Sequence, residues 1–501
     1  MIKEDKIMIF LKKKRRLLDL LKTTVQMIDL IKSKNQSEVI NNCQEAVKTI
    51  ADSLEGELAE GETVFNDLQT MYDLLTLIDQ QQVDLTSELI FKMKQLLVLI
   101  VDKLDKLIPV KLNIAFMPYK VTMWDSLASI YEAAKQDPDC TAKIIPIPYY
   151  EIAADKTTSI YEGDLFPNDI PIIPYDEYDL AKEEPDIIFI HNAYDQYNDF
   201  TQVNKRFFTS NLKQYTDMLV YVPYHITSFS KMAPNRPYIT YAIPTMVNID
   251  KIIVAGQFVK DAAIKYGIPE EKVLVLGSPK MDAVRQAIKD KKKIPKEWQE
   301  KLTNKYVFAL DTNCMDFVNN QFYEFAYIEQ VFDATRMIPN CAVIWRPHPL
   351  TRISIAHYIP QMLSMYDNCI TEIKSESSRY PNIILDDSSD YLSFFKASDA
   401  YISATNSLMA AYTLTDQPII ISAGKLGNSI LLSDEAFYHF YDPNYPWYKI
   451  AKNLVNGKDH KKKLRHNLAS QIYSYTDGTS GKTIYQEIKK ETILKMTGEL
   501  K

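Results

Sequence analysis

The sequence lacks several features that mark common classes of protein. Its five cysteines are scattered and show neither the paired spacing of a zinc site nor a disulfide framework. No apolar run approaches the roughly 18 residues that a membrane-spanning helix needs, and the charged N-terminus lacks the apolar core of a signal peptide. These absences predict a protein of the reducing cytoplasm that is neither secreted nor integral to a membrane.

Glycine-rich phosphate loops are also missing. Gly256 and Gly277 each follow a β-rich run, yet neither begins a G-x-G-x-x-G fingerprint or a Walker loop, which disfavours dehydrogenases and P-loop enzymes. A formal net charge of −7 predicts no general affinity for nucleic acid. We recognise no metal-binding cluster and predict neither a metal nor another cofactor.

The N-terminal segment has the opposite charge to the rest of the chain. Residues 1–22 carry eight basic and three acidic side chains, a net charge of +5. An anionic membrane surface is one partner that this segment would suit, on the inner face of the cell membrane. The alternative, which we favour, is the solvated face of a helix whose apolar face packs on its neighbours.

No proline occurs before Pro109, and apolar residues up to Ile108 recur with a helical period. Residues 1–108 are therefore predicted to form a helical bundle or coiled-coil-like module of three or four helices. Such a module is also a candidate surface for forming a homo-oligomer.

After Pro109, short β-rich runs alternate with helical stretches, which predicts βαβ units around parallel sheets. The charged segment 289–296 is the predicted linker, so the fold class is α/β, with two Rossmann-like domains at 109–292 and 293–482 facing across a cleft. Residues 483–501 are predicted to form a helix that crosses back to the first domain. The predicted strands are 113–117, 143–147, 186–190, 218–222, 251–254, 273–276, 306–310, 341–345, 382–385, 399–402 and 418–421.

Two strands of the second domain are followed by polar residues suited to a phosphate. The strand 341–345 leads into Arg346 and His348, which two prolines hold with little freedom. The strand 399–402 leads to Thr405, Asn406 and Ser407, placed at a helix N-cap and first turn, where N–H groups and hydroxyls can bind an anion. The same residues also cap helices for purely structural reasons.

Taken together, these motifs resemble the CDP-glycerol glycerophosphotransferase family of teichoic-acid-type polymerases, over roughly residues 110–485. The family's Gly-x-Pro-Arg-x-Asp element corresponds to Gly277, Pro279, Lys280 and Asp282, with lysine in place of arginine. Its Arg-x-His-Pro element is matched at residues 346–349. The resemblance implies a GT-B-type fold and places the histidine of the second element at the donor's pyrophosphate.

Two other family elements are only partly preserved. The Thr-Asp-Tyr-Ser-Ser type of helix start has Ala404 where the family has its aspartate. The Trp-His-Gly-Thr-Pro-Leu-Lys element, whose histidine is the proposed general base, is reduced here to Tyr224 and His225, so a structural role for His225 stays open. Lys120, Trp124 and Asp125 follow another strand and are candidate acceptor-side residues, although Trp124 also suits a core position.

The resemblance implies a transferase that moves a glycerophosphate-type unit from a CDP-linked polyol to a hydroxyl acceptor, lipid-linked or polymeric, and releases CMP. The candidate catalytic residues are His225 and His348. The candidate donor- and phosphate-binding residues are Arg346, Thr405, Asn406, Ser407, Gly277, Lys280 and Asp282. A nucleotide-sugar glycosyltransferase on the same fold, or a non-catalytic scaffold protein of surface-polymer assembly, remains an alternative.

Overall fold

The computed structural model describes residues 8–32, 36–56, 63–152, 157–198, 200–231, 241, 243–289 and 294–497. In these ranges, a helical module precedes two α/β domains, each built on a parallel sheet. Of the predicted linker 289–296, residues 290–293 lie outside the described part. The predicted fold class is confirmed.

The N-terminal module packs four helices around its own apolar core. Its elements are β1 (Ile9–Phe10), α1 (Leu11–Ile28), α2 (Gln36–Leu54), α3 (Thr63–Asp79) and α4 (Ser87–Leu107). The helices form because their apolar residues recur on one face, and Thr86 caps the last of them by accepting a hydrogen bond from the Leu89 N–H. Strand β1 was not predicted; it joins the sheet of the first α/β domain.

The first α/β domain is built on a parallel sheet. Its elements are β2 (Val110–Met117), α5 (Ala128–Lys135), β3 (Cys140–Ile144), β4 (Tyr149–Ile152), β5 (Thr157–Ile160), α6 (Leu180–Glu183), β6 (Ile187–Ile190), β7 (Thr201–Val203), α7 (Thr209–Leu212), β8 (Met218–Tyr221), β9 (Lys251–Val254), α8 (Gln257–Lys265), β10 (Val273–Val275) and α9 (Pro279–Lys289). The strands run in the order β3-β2-β6-β8-β9-β10, all parallel, with β1 also paired to β2. Strands β4, β5 and β7 form a separate antiparallel sheet that the sequence did not predict.

The second α/β domain has a six-stranded parallel sheet. Its elements are α10 (Lys296–Leu302), β11 (Tyr306–Thr312), α11 (Cys314–Asn320), α12 (Phe322–Arg336), β12 (Cys341–Pro347), α13 (Thr351–Tyr358), α14 (Leu363–Lys374), β13 (Ile383–Leu385), α15 (Tyr391–Lys396), β14 (Ala400–Ser403), α16 (Ser407–Tyr412), β15 (Ile419–Ile421), β16 (Tyr438–His439), α17 (Trp447–Val455) and α18 (Lys462–Arg465), and helix α19 (Ser480–Thr497) follows the domain. Its strand order, β13-β12-β11-β14-β15-β16, is the 3-2-1-4-5-6 order of a Rossmann fold.

Each predicted strand overlaps a strand of the structure, with one displaced: the run 143–147 is Cys140–Ile144. The buried strands are apolar on both faces, as expected for a sheet covered by helices on each side. Their short, β-branched runs carry a strong local signal, which explains the agreement.

Apolar contacts join the two domains directly. One buried cluster combines Ile226, Phe229 and Met281 of the first domain with side chains of the second, and the Phe229 ring stacks on Phe437 at 5.4 Å. The last helix, α19, starts beyond the second domain and packs against α5 and α9 of the first. None of the helices in the described ranges combines the length and apolarity of a membrane span.

Candidate active site

Strands β11 and β14 of the second domain lie at the point where the strand order reverses. In open parallel sheets, ligands bind beyond the carboxyl ends of the strands at this point. Asp311 and Thr312 end β11, and their register partners on β12 are Arg346 and Pro347. Residues predicted to bind the donor therefore lie beside this switch point.

Asp311 organises the end of the sheet. Its Oδ2 atom accepts hydrogen bonds from the Tyr401 hydroxyl (2.7 Å), the Asn406 amide (2.7 Å) and the Ser403 hydroxyl (3.2 Å). Asn406 in turn caps α16, because its Oδ1 accepts from the Met409 N–H at 2.8 Å. Asp311 was not predicted from the sequence. It could have been found as an acidic residue at the end of an apolar strand, where polar side chains of a site are expected.

The other two residues of this turn lie beside Asn406. Ser407 is the first residue of α16, and Thr405 immediately precedes the cap. The predicted positions at the helix start are thus the observed ones. Whether they bind phosphate stays a prediction.

Arg346 lies within β12 rather than in the loop after it, and it is buried. Its guanidinium forms an ion pair with Asp386, which is also buried, and lies 5.8 Å from the centroid of the Phe394 ring. The predicted phosphate-binding charge is therefore already balanced by a carboxylate that the sequence did not indicate. A guanidinium has five N–H donors, so further hydrogen bonds to a ligand are compatible with this pair.

His348 stands exposed just beyond β12, and its backbone N–H donates to the Thr312 carbonyl at 2.9 Å. Its Nδ1 accepts a hydrogen bond from the Leu350 N–H at 3.1 Å, so the neutral ring carries its proton on Nε2 and can donate it to a ligand. Desolvation by surrounding protein lowers the pKa of His348; Asp311 acts against this and Arg346 with it.

The loop that carries His225 lies between the domains. It follows β8, and its Thr227 carbonyl accepts a hydrogen bond from the Tyr473 hydroxyl at 2.7 Å. Further along, Ser230 forms an antiparallel bridge with Ile430 of the second domain. The Ser230 hydroxyl also donates to the Thr405 hydroxyl at 2.8 Å, which joins the predicted acceptor-side loop to the predicted donor-side turn.

His225 itself is half-buried and lines a narrow cavity together with Gly277 and Ser278. Burial, and secondarily the positive charge of Lys280, lowers the pKa of His225 to about 4. The imidazole is therefore neutral near pH 7. A neutral histidine has a lone pair that can accept a proton, and the lowered pKa makes this one a weaker base than an ordinary imidazole.

Lys280 and Asp125, predicted for opposite sides of the reaction, form one ion pair. The Lys280 Nζ lies 2.9 and 2.8 Å from the two oxygens of Asp125. Tyr391 of the second domain donates its hydroxyl to the same carboxylate at 2.6 Å, and Lys280 lies 4.7 Å from the centroid of the Tyr391 ring. The charge predicted to meet the donor is thus held by Asp125.

Gly277 and Asp282 connect the first domain to α19. Gly277 has a φ of +81°, and a Cβ there would lie 2.3 Å from the Ser480 hydroxyl. Asp282 accepts hydrogen bonds from the Ser129 hydroxyl (2.8 Å) and from the N–H groups of Ser480 (3.1 Å) and Gly481 (2.7 Å) at the start of the helix. Burial raises the pKa of Asp282. These contacts give both residues a structural role.

The other two acceptor-side candidates, Lys120 and Trp124, contact residues other than those of the loop that carries His225. Lys120 lies 3.5 Å from the Glu151 carboxylate and 4.7 Å from the centroid of the Tyr149 ring. Trp124 is buried among core aromatics, with the Phe166 ring at 5.8 Å, which matches its alternative role as a core residue.

His191 is a further histidine at the carboxyl end of β6, and sequence reasoning missed it. It is fully buried, its Nε2 accepts from the Tyr119 N–H at 3.0 Å, and its Nδ1 lies 3.1 Å from the Ser126 hydroxyl. Burial lowers the pKa of His191 to about 3. Both ring nitrogens have hydrogen-bond partners within the protein. Because these partners, Tyr119 and Ser126, flank Asp125 in sequence, His191 fixes the position of the loop that contains Asp125.

The ranges that the structure describes contain no group of three or more histidine, cysteine, aspartate or glutamate side chains arranged to hold a metal ion. Near the switch point, Arg346 and Asp311 are close enough to act electrostatically on His348.

No protein-family model and no curated protein matches the chain. Among solved structures, a variant of the wall teichoic acid polymerase TagF soaked with CDPG aligns with a TM-score of 0.50 and 15% identity, over 88% of this chain and 100% of that one. The UDP-GlcNAc 2-epimerase of Methanocaldococcus jannaschii, in complex with UDP-GlcNAc and UDP, gives 0.48 and 13%, over 75% and 99%. At such identity the likeness to the polymerase establishes the fold, two Rossmann-like domains of GT-B type, and no activity.

Proposed function

We propose that the protein is a cytoplasmic transferase that moves a glycerophosphate-type unit from a CDP-linked polyol to a hydroxyl acceptor and releases CMP. The retained Arg346-Pro347-His348-Pro349 motif supports this donor class through its resemblance to the CDP-glycerol family. The fold supports a two-sided site, because the predicted donor-side and acceptor-side residues belong to different domains.

One observation carries the proposal. The Ser230 hydroxyl donates to the Thr405 hydroxyl at 2.8 Å, so the loop that carries His225 contacts the turn after β14. Strand β14 is separated by β11 from β12, the strand that leads to His348. This contact supports a site between the domains, with the candidate base on one side and the candidate phosphate-binding turn on the other. Transfer between two bound substrates needs this juxtaposition.

In the proposed reaction, the acceptor hydroxyl gives its proton to neutral His225, and its oxygen bonds to the donor phosphorus that bears the polyol. The phosphoanhydride bond to CMP breaks, and its electron pair leaves on CMP. His348 donates its Nε2 proton in a hydrogen bond to the phosphate oxygens, where negative charge grows. The Thr405-to-Ser407 turn adds hydroxyl and N–H donors there.

The first experiment measures binding and turnover with a panel of CDP-glycerol, CDP-ribitol, CMP, UDP-sugars and GDP-sugars. A ligand that binds the folded state raises the melting temperature by mass action. We expect stabilisation by cytidine nucleotides and release of CMP. Stabilisation confined to UDP- or GDP-sugars would move the protein to glycosyl transfer, and no stabilisation by any nucleotide would contradict the proposal.

The His348→Ala variant tests the site itself. We expect CMP release to fall about 10²–10³-fold, because a hydrogen-bond donor to developing charge is lost, with little change in melting temperature. The matched control is His357→Ala, which removes an exposed histidine of α13 in the same domain. Equal activity of the two variants would remove His348 from the mechanism.

A further inference from the structure

Asp125, Lys280 and Tyr391 form a polar cluster at the boundary between the two domains. Asp125 follows β2, Lys280 lies in the first turn of α9, and Tyr391 begins α15 of the second domain. Lys280 and Tyr391 are both buried, with 9% and 7% of their surfaces exposed. Asp125 is half-buried, so the cluster is a largely buried ion pair, completed by a phenol from the other domain.

A buried ion pair is costly unless further hydrogen bonds satisfy its atoms. Here the Tyr391 hydroxyl supplies one, at 2.6 Å from the Asp125 carboxylate that also accepts both Lys280 contacts. The Tyr391 ring packs on Phe395 at 5.3 Å, which fixes the direction from which the phenol approaches. The geometry of the pair thus depends on the second domain.

Lys280 of the cluster is close in sequence to residues that line the His225 cavity. Gly277 and Ser278, which line that cavity with His225, lie three and two residues before Lys280. The charge of Lys280 is also felt at His225, where it adds to the effect of burial. A shift of Lys280 would therefore change the wall and the electrostatic surroundings of the candidate base.

We propose that Tyr391 is a positioning residue for the acceptor side of the site: by donating to Asp125 across the domain boundary, it holds Lys280 and the adjoining cavity wall around His225 in the arrangement that transfer requires. The inference rests on the proposed role of His225 in catalysis. It makes the acceptor side depend on a side chain of the donor domain.

The test is Tyr391→Phe, which keeps the ring and removes only the hydroxyl. We expect kcat to fall about tenfold while the KM for the CDP-linked donor stays unchanged, because the residues at β11, β12 and β14 are untouched. The control is Tyr412→Phe, whose hydroxyl lies 3.0 Å from the Ser398 hydroxyl and whose ring packs on the same Phe395 at 5.0 Å. The inference fails if the two variants have the same kcat.

A double-mutant cycle shows whether Tyr391 acts through Asp125. In an Asp125→Ala background, Tyr391→Phe should cost less than twofold in kcat, since the oxygen atoms that accept the phenol's hydrogen bond are already gone. A full tenfold loss in that background would show that Tyr391 acts elsewhere, and would overturn the inference.

A readout without turnover separates this inference from the proposed function. Hydrogen exchange of residues 218–231 should be several-fold faster in Tyr391→Phe than in Tyr412→Phe, because the cavity wall beside His225 loosens. Faster exchange in a protein that releases no CMP would support the positioning and refute the transferase. Unchanged exchange in an active enzyme would overturn the positioning and leave the transferase standing.

Discussion

At the level of single residues, the two histidines of the first domain differ in what their rings contact. His191 is fully enclosed and has a protein partner near each nitrogen, whereas His225 is half-buried and lines a narrow cavity within the first α/β domain. Both are kept neutral near pH 7, because burial lowers the pKa of each. Neutrality alone therefore does not identify a catalytic histidine; access to a ligand does.

The buried His191 should make stability depend on pH. Its pKa is about 3 in the folded protein, against 6.5 for a free histidine. The unfolded chain binds the proton first, so below pH 6.5 the wild type loses about 1.4 kcal/mol of stability per pH unit from this group. His191→Gln should be less stable than the wild type at pH 7, by about 1–2 kcal/mol. Because the wild type loses more stability than this between pH 6.5 and pH 4, the variant should become the more stable protein before pH 4.

Urea unfolding at several pH values measures this difference. The exposed His357→Gln variant serves as the control and should run parallel to the wild type at each pH. A His191→Gln deficit that stays constant from pH 7 to pH 4 would show that burial does not suppress protonation of His191.

At the level of elements, α19 binds the end of the chain to the first domain. Asp282 accepts hydrogen bonds at its N-terminus, and farther along the Tyr485 hydroxyl and the Lys489 ammonium meet Asp137 at 2.7 and 2.8 Å. The family-like Gly-x-Pro-Lys-x-Asp motif therefore contributes to domain assembly. The role in donor binding that the resemblance implies for Gly277 and Asp282 stays a prediction.

Gly277 should resist substitution more strongly than other glycines with positive φ. Gly277→Ala combines strained backbone with a Cβ at 2.3 Å from the Ser480 hydroxyl and 2.6 Å from the Ser474 carbonyl, so we expect a loss of about 2–5 kcal/mol. Gly267→Ala, at φ +87° with open space around it, should lose only about 1–2 kcal/mol. Urea midpoints compare them, and equal losses would mean that the contact with α19 is unimportant.

At the level of the whole molecule, the basic N-terminal helix is anchored to protein. Lys12 donates to the Pro185 and Tyr215 carbonyls, and Arg16 lies 2.9 Å from the Glu184 carboxylate of the first α/β domain. Basic side chains that were considered for a membrane surface thus contact groups of the protein instead. Lys3 and Lys6 belong to the predicted basic segment but lie outside the described residues.

This docking predicts weak attraction to anionic lipid. In a flotation assay at low salt, most of the full-length protein should remain unbound to phosphatidylglycerol vesicles, because each paired cation forgoes the roughly 1 kcal/mol that it could gain at such a surface. A Lys12→Ala/Arg16→Ala variant should float to the same extent. Strong flotation of the wild type that salt abolishes would instead support a membrane-facing helix.

The formation of a homo-oligomer through the N-terminal helices stays a prediction. Helix α4 exposes Phe91, Val98 and Leu99, although its other face packs in the bundle core. The helical module therefore remains the candidate surface for a homo-oligomer.

The sequence by itself determined the type and order of the main elements, because apolar period and strand length are local properties of the chain. It also located the turns after β12 and β14, since polar residues that interrupt an apolar run mark a strand end. Short strands such as Ile9–Phe10 were not predicted, because two residues are too few to show a periodic pattern. Only their pairing with β2 makes them a strand.

Only the tertiary structure decided which side chains meet. Asp125 and Lys280 are 155 residues apart, Asp125 and Tyr391 are 266 apart, and nothing local to any of them predicts the cluster. Asp311 and Asp386 likewise gained their roles from strands that pair in three dimensions. A hydrogen bond depends on distance and direction in space. The sequence could therefore indicate candidate residues for this site, but only the fold shows which partners they contact.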